Sequence, residues 1–164
     1  MFAYRVILDI KDIEVYEPGM PIYNKIKERY NEAELLMEDV RLKLDKNILP
    51  RLGAIYVCKS IEHAHKWYSK IDVKQGFNYY VYKLNLIGDI QWHNPFFYEK
   101  VFSLVYHDNK TTNDFELNEI AKSYWLSDDS KDGLLSEGLF WGKAIVLDRK
   151  YFVNANNLCS TSAC

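Results

Sequence analysis

The run from Phe77 to Leu86 sets the strongest limit on the fold: Tyr80, Tyr82, Leu84 and Leu86 alternate with Val81, Lys83 and Asn85. A two-residue period rich in aromatic and branched side chains marks a β-strand, so the chain must build a sheet. A second stretch follows another rule. Leu36, Val40, Leu44 and Ile48 recur at every fourth residue among mostly polar neighbours, the spacing of one helix face. Helical patterns come early and strand patterns late, in mixed order, and the expected class is α+β.

Other segments fill in around these two. Phe2 to Leu8 reads as a strand, and Asp9 to Pro21 as an irregular stretch with turn signals at Pro18-Gly19 and Pro21. Pro50 is expected to stop the helix that carries Ile48, because the residue before a proline is pushed out of helical geometry. Leu52 to Cys58 predicts a second strand. Ser60 can cap a helix whose face is Ile61, Ala64, Tyr68 and Ile71. Gln75-Gly76 is a turn, and Gly88-Asp89 suggests a tight turn before Ile90-Gln91-Trp92. His93 to Asn109 carries aromatics with no clean period. Asn113 with Glu116 resembles a capping box for a helix burying Leu117, Ile120, Ala121 and Tyr124. Leu126 to Gly133 is a polar loop, Leu139 to Leu147 a strand. At 164 residues the expectation is one domain over residues 1–153 and a disordered polar tail over 154–164.

Composition narrows the function classes. Lys and Arg number 21 against 23 Asp and Glu, a net charge of -2, which excludes a basic nucleic-acid coat though not a local groove. With 7 Gly there is no glycine-rich loop to cradle phosphates, while 13 Tyr supply ring faces with polar tips that suit planar ligands as well as a core. Phe2 to Leu8 is broken by Arg5 and followed by Asp9, without the apolar core of a signal peptide or the ~20 residues of a spanning helix. No membrane partner is expected. Three cysteines (Cys58, Cys159 and Cys164) fit a reducing compartment better than a disulfide framework, so a cytoplasmic location is expected. In that setting the sequon Asn109-Lys110-Thr111 carries no meaning.

Two metal-like patterns fail on spacing. Asp128, Ser130, Asp132 and Gly133 follow a calcium loop, but the position of the closing carboxylate is Leu139. His63 and His65 stand too close together on a helix to share a metal with Cys58. No metal is expected, and no G-x-S-x-G elbow supports a serine hydrolase. The informative residues are a carboxylate and two arginines. Glu137 stands at the mouth of the apolar strand Leu139 to Leu147, beside Gly138. Arg5 lies inside the first strand, where a charge needs a partner or an anion, and Arg51 precedes the second. An arginine fork matches phosphate oxygens, and tyrosine rings hold flat groups.

This order of residues resembles the ADP-ribosyltransferase superfamily, in particular its compact bacterial and phage-related branch with DNA-modifying toxins. The likeness runs from Phe2 to Leu147: a basic residue on strand one, an arginine-and-aromatic strand followed by a helix, a tyrosine-rich strand, and a late Glu137-Gly138-Leu139 strand. It implies a split β-sheet core flanked by helices, NAD as cofactor, and transfer of ADP-ribose to a macromolecular acceptor, protein or nucleic acid. By the same resemblance Glu137 and Arg51 are the catalytic residues, and Arg5, Tyr4, Tyr56, Ser60 and Tyr124 line the cofactor site. Two other readings stand beside it. One is a catalytically inactive binding or inhibitor module of the same fold. The other is a glycosidase or nucleosidase pairing Glu137 with Asp132. Acceptor recognition is expected in the long irregular stretches Asp9 to Pro21 and His93 to Thr112, whose Tyr16, Phe96, Phe97, Tyr98 and Tyr106 could stack on bases.

Overall fold

The structure, a computed structural model, describes residues 1–8, 16–25, 31–71, 79–108, 110–111, 114–127 and 136–152. The class is α+β. The elements run β1 (Phe2–Leu8), β2 (Pro21–Tyr23), α1 (Glu32–Leu44), β3 (Ile55–Val57), α2 (Ile61–Ile71), β4 (Tyr79–His93), α3 (Pro95–Tyr106), α4 (Phe115–Leu126) and β5 (Glu137–Phe152). Hydrogen-bonded neighbours in the sheet follow the order β1-β4-β5-β2, with β3 pairing to β5. β1 lies antiparallel to β4, with Phe2 opposite Asn85 and Leu8 opposite Tyr79, and β2 lies antiparallel to β5.

Expected boundaries move for identifiable reasons. α1 ends at Leu44, well before Pro50, because Asp45 turns extended while its N–H still reaches the Arg41 carbonyl. The following turn is tied down by the Arg41 guanidinium, which donates to the carbonyls of Lys46 (3.0 Å) and Ile48 (2.6 Å). Pro50 is therefore not the stop. No turn forms at Gly88-Asp89: β4 passes straight through, with Gly88 taking a φ of 147° that side chains rarely adopt. The stretch from His93 contains a twelve-residue helix instead of an irregular loop. Asn94 caps it by accepting from the Phe96 N–H, and Pro95 starts it, the favoured first position for proline. The cap of α4 is Asp114, accepting from Leu117 N–H, in place of Asn113. β3 is shorter than Leu52 to Cys58, and β5 is longer than Leu139 to Leu147. Ser60 caps α2 as expected, accepting from the His63 N–H at 3.2 Å. The Gln75-Gly76 turn, the Asp128 to Gly133 loop with Asp132, Asn109, most of Asp9 to Pro21, and the tail with Cys159 and Cys164 lie outside the described residues.

The chain divides into two compact units, each assembled from segments distant in sequence. One comprises Met1–Tyr23, Val57–Gly88 and Gly142–Cys164. Here α2 packs against β1, and buried Cys58, Ala64, Tyr68, Tyr79 and Val81 form its core. Tyr79 is sandwiched between Tyr68, stacked at 3.7 Å, and Phe152 at 5.1 Å. The other unit comprises Asn24–Tyr56 and Asp89–Trp141. Its helices α1, α3 and α4 pack together over Leu36, Met37, Val40, Val101, Val105, Leu117 and Ala121, joined by Leu139 from the start of β5.

Candidate functional site

The second unit buries a cluster of charge. Glu137 opens β5 and is 5% exposed, Arg51 is 3% exposed, and Tyr124 near the end of α4 is fully buried. The turn presenting Arg51 is fixed by its surroundings. Trp141 Nε1 donates to the Pro50 carbonyl at 2.9 Å, and Asn24 Nδ2 donates to the carbonyls of Gly53 and Phe140, each at 2.9 Å. Gly53 has a φ of 85°, and a Cβ there would meet Trp141 at 3.0 Å and the Lys25 carbonyl at 3.2 Å, so only glycine closes this turn without displacement.

Arg51 Nη1 donates to the Tyr124 hydroxyl at 2.5 Å and to Oε1 of Glu137. The Tyr124 hydroxyl donates to the same Oε1 at 2.6 Å. Every proton in this triangle thus has a defined direction: arginine to phenol, and arginine and phenol to carboxylate. The other side of the guanidinium faces Glu34, with Nε to Oε2 at 3.2 Å and Nη2 to Oε1 at 3.4 Å. Tyr98 covers the guanidinium face, its ring centre 3.8 Å from Cζ, with the Tyr124 and Tyr56 rings at 5.0 and 5.3 Å. Tyr56 also donates its hydroxyl to the Arg51 carbonyl at 3.0 Å.

Burial opposes the Arg51 charge, but Glu137, Tyr124, Tyr56 and Glu34 outweigh it and hold its pKa well above the ordinary value. Burial pushes the phenols of Tyr124, Tyr56 and Tyr98 upward, so all three keep their protons at neutral pH and act as donors. His93, at the end of β4, stacks on the Tyr124 ring at 4.7 Å, and burial lowers its pKa to about 4.

Four of the seven site residues expected from the sequence therefore meet: Arg51, Glu137, Tyr124 and Tyr56. Tyr4, Arg5 and Ser60 belong to the other compact unit. There Tyr4 bridges to Cys58, Arg5 lies opposite Tyr82, and Ser60 caps α2. Among the aromatics considered for acceptor binding, Tyr98 is taken up by Arg51, Phe97 packs against the core, and Phe96 and Tyr106 are exposed. Sequence reasoning missed Glu34 and His93, and read Tyr98 as a base-stacking ring for the acceptor rather than as a cover for Arg51. Glu34 reads as an ordinary acid in the first turn of a helix, and Tyr98 becomes legible only once Asn94-Pro95 is recognised as a helix start. Among the described residues, no three His, Cys, Asp or Glu side chains are grouped to hold a metal ion.

Fold and site together define an α+β protein built around a buried arginine–glutamate–tyrosine cluster. The family model of DUF2441, a protein of unknown function, matches residues 14–153, and the chain belongs to that family. No curated protein matches it.

Proposed function

We propose that this chain is an NAD-dependent ADP-ribosyltransferase acting on a macromolecular acceptor, with Glu137 as its catalytic carboxylate. One observation carries the reading: the hydrogen bonds from Arg51 and Tyr124 both fall on Oε1 of Glu137. The carboxylate is oriented through one oxygen, and in this reading Oε2 accepts a hydrogen bond from a ligand hydroxyl. NAD, when bound, supplies the bond between ribose C1 and the nicotinamide nitrogen. In the transfer this would support, the electron pair of that bond would leave with nicotinamide, while the acceptor nucleophile would bond to C1 and release its proton to water. Glu137 accepts a ribose hydroxyl and places negative charge beside the sugar as it turns positive, an interaction stronger in the transition state than before it.

The residues fit the ribosyl half of NAD through the carboxylate. Arg51 offers the pyrophosphate no fork, since its Nε, both Nη1 hydrogens and one of its Nη2 hydrogens go to Glu34, Glu137 and Tyr124. Arg51 therefore serves as the positioning charge for Glu137 and not as a phosphate fork. The burial of Glu137 favours a second reading, an inactive binding module in which the cluster only stabilises the fold. Release of nicotinamide from millimolar NAD separates the two. Wild type should release it, and Glu137→Gln should lose about 100- to 1,000-fold, the usual cost of one preorganised electrostatic group. A folded wild-type protein with no release and no thermal shift from NAD would reject the transferase in favour of the module.

A further inference from the structure

Among the described side chains, Nδ1 of His63 and Nε2 of His93 are buried without a hydrogen-bond partner. His93 is the one that touches the site. Its ring lies nearly parallel to that of Tyr124, at 19°, and its edge meets Trp125 at 5.4 Å. Nδ1 stands 3.1 Å from the Tyr124 backbone carbonyl, which can only accept, so Nδ1 carries the hydrogen. Burial, with the charge of Arg51 nearby, keeps the ring from taking a second proton at neutral pH. Among the described residues, the lone pair of Nε2 then has no donor.

We propose that His93 is a positioning residue for Tyr124: locked with its hydrogen on Nδ1, it fixes the last turn of α4 so that the phenol stays on Oε1 of Glu137, while Nε2 stands as a bare acceptor. Satisfying the carbonyl does not by itself call for a histidine. Ser127 Oγ already donates to the Tyr124 carbonyl at 2.8 Å. What the imidazole adds is a ring plane laid on the Tyr124 ring at a fixed angle, which a hydroxyl does not supply. The three groups form one chain of constraint: His93 ring to Tyr124 ring, Tyr124 hydroxyl to Glu137.

Nitrogen-15 NMR of the imidazoles in the full chain, with His93 assigned by its loss in a variant, reads the hydrogen position directly. A protonated Nδ1 and an unprotonated Nε2, unchanged between about pH 7.5 and 5.5, are expected for a ring held near the lowered value. A hydrogen on Nε2, or an imidazolium signal in that range, overturns the proposal. A double-mutant cycle on melting temperature reads the coupling. The loss caused by Tyr124→Phe should fall to less than roughly half once His93→Ala is present. His93→Phe, which keeps a ring to lay on that of Tyr124, should restore part of the coupling. Additive losses overturn the proposal, and so does equal coupling with Ser127→Ala, which would make His93 a helix-end cap only. If His93→Ala does not fold, the NMR of the wild type and the His93→Phe cycle still decide. Nicotinamide release by His93→Asn is a separate arm that alone rests on the transferase reading: a lower kcat at unchanged KM is expected. Coupling without any release in the wild type would reject the transferase and leave the positioning role standing.

Discussion

The two compact units spend their tyrosines in opposite ways. In the first, rings pack on rings: Tyr79 lies between Tyr68 and Phe152, and its hydroxyl meets His65 Nδ1 at 2.7 Å. Tyr82 accepts from the Tyr16 N–H at 3.0 Å. In the second, the rings of Tyr56, Tyr98 and Tyr124 surround a guanidinium, and the Tyr124 hydroxyl is aimed at a carboxylate. Aromatic packing is stabilising by area alone. A buried ion pair is not, because desolvating two charges consumes most of what their attraction returns, and apolar residues of the same volume often do as well. A fold that needed only stability had the cheaper solution to hand in its own first unit. This contrast supports the proposed site in the second.

The largest test of this contrast is Arg51→Ala. It leaves the buried Glu137 and the partly buried Glu34 without their cation, and should destabilise the fold by about 3–5 kcal/mol, measured by denaturant unfolding. Next is pH. His93 has a pKa of about 4 in the fold against 6.5 for the free side chain, so the unfolded chain takes up its proton first. This contribution is therefore complete above pH 6.5 and declines as the pH falls towards 4, by about 3 kcal/mol in total, and His93→Gln should flatten that part of the stability profile. The same chemical change then compares the units directly. Tyr124→Phe removes a phenol from a charged, buried network and should cost about 1–3 kcal/mol, whereas Tyr79→Phe keeps its stacking and should cost about 1 kcal/mol or less. Equal costs would break the comparison. A comparably small effect belongs to Ser60→Ala, a helix cap away from the charge cluster, at about 1 kcal/mol on thermal melting and none on nicotinamide release.

Much of the fold was legible because its causes are local. The period of Tyr80 to Leu86 placed β4, the spacing of Leu36, Val40 and Leu44 placed α1, and Ser60 announced α2. The errors were local signals outweighed by contacts. Gly88-Asp89 looks like a hairpin turn, yet the strand continues, since a glycine at φ 147° passes through an extended ladder. Asn94-Pro95 was a sound helix start, obscured by the aromatic run behind it. Of the site, Glu137 and Arg51 were legible as residue types that chemistry needs, and Tyr56 and Tyr124 only through the resemblance. Glu34, Tyr98 and His93 were not, because nothing near them in the chain marks them as partners.

The sequence alone determined most of the elements and the inventory: an α+β chain, a late glutamate at the head of a strand, an arginine before another, and tyrosines to spare. These follow from interactions between residues a few positions apart, which a periodic pattern records. Only the tertiary structure decided that Arg51 meets Glu137 across 86 positions and Tyr124 across 73, that both load one carboxylate oxygen, and that His93 keeps a bare nitrogen. Burial and charge act through space, and the order of residues along the chain carries no record of that distance.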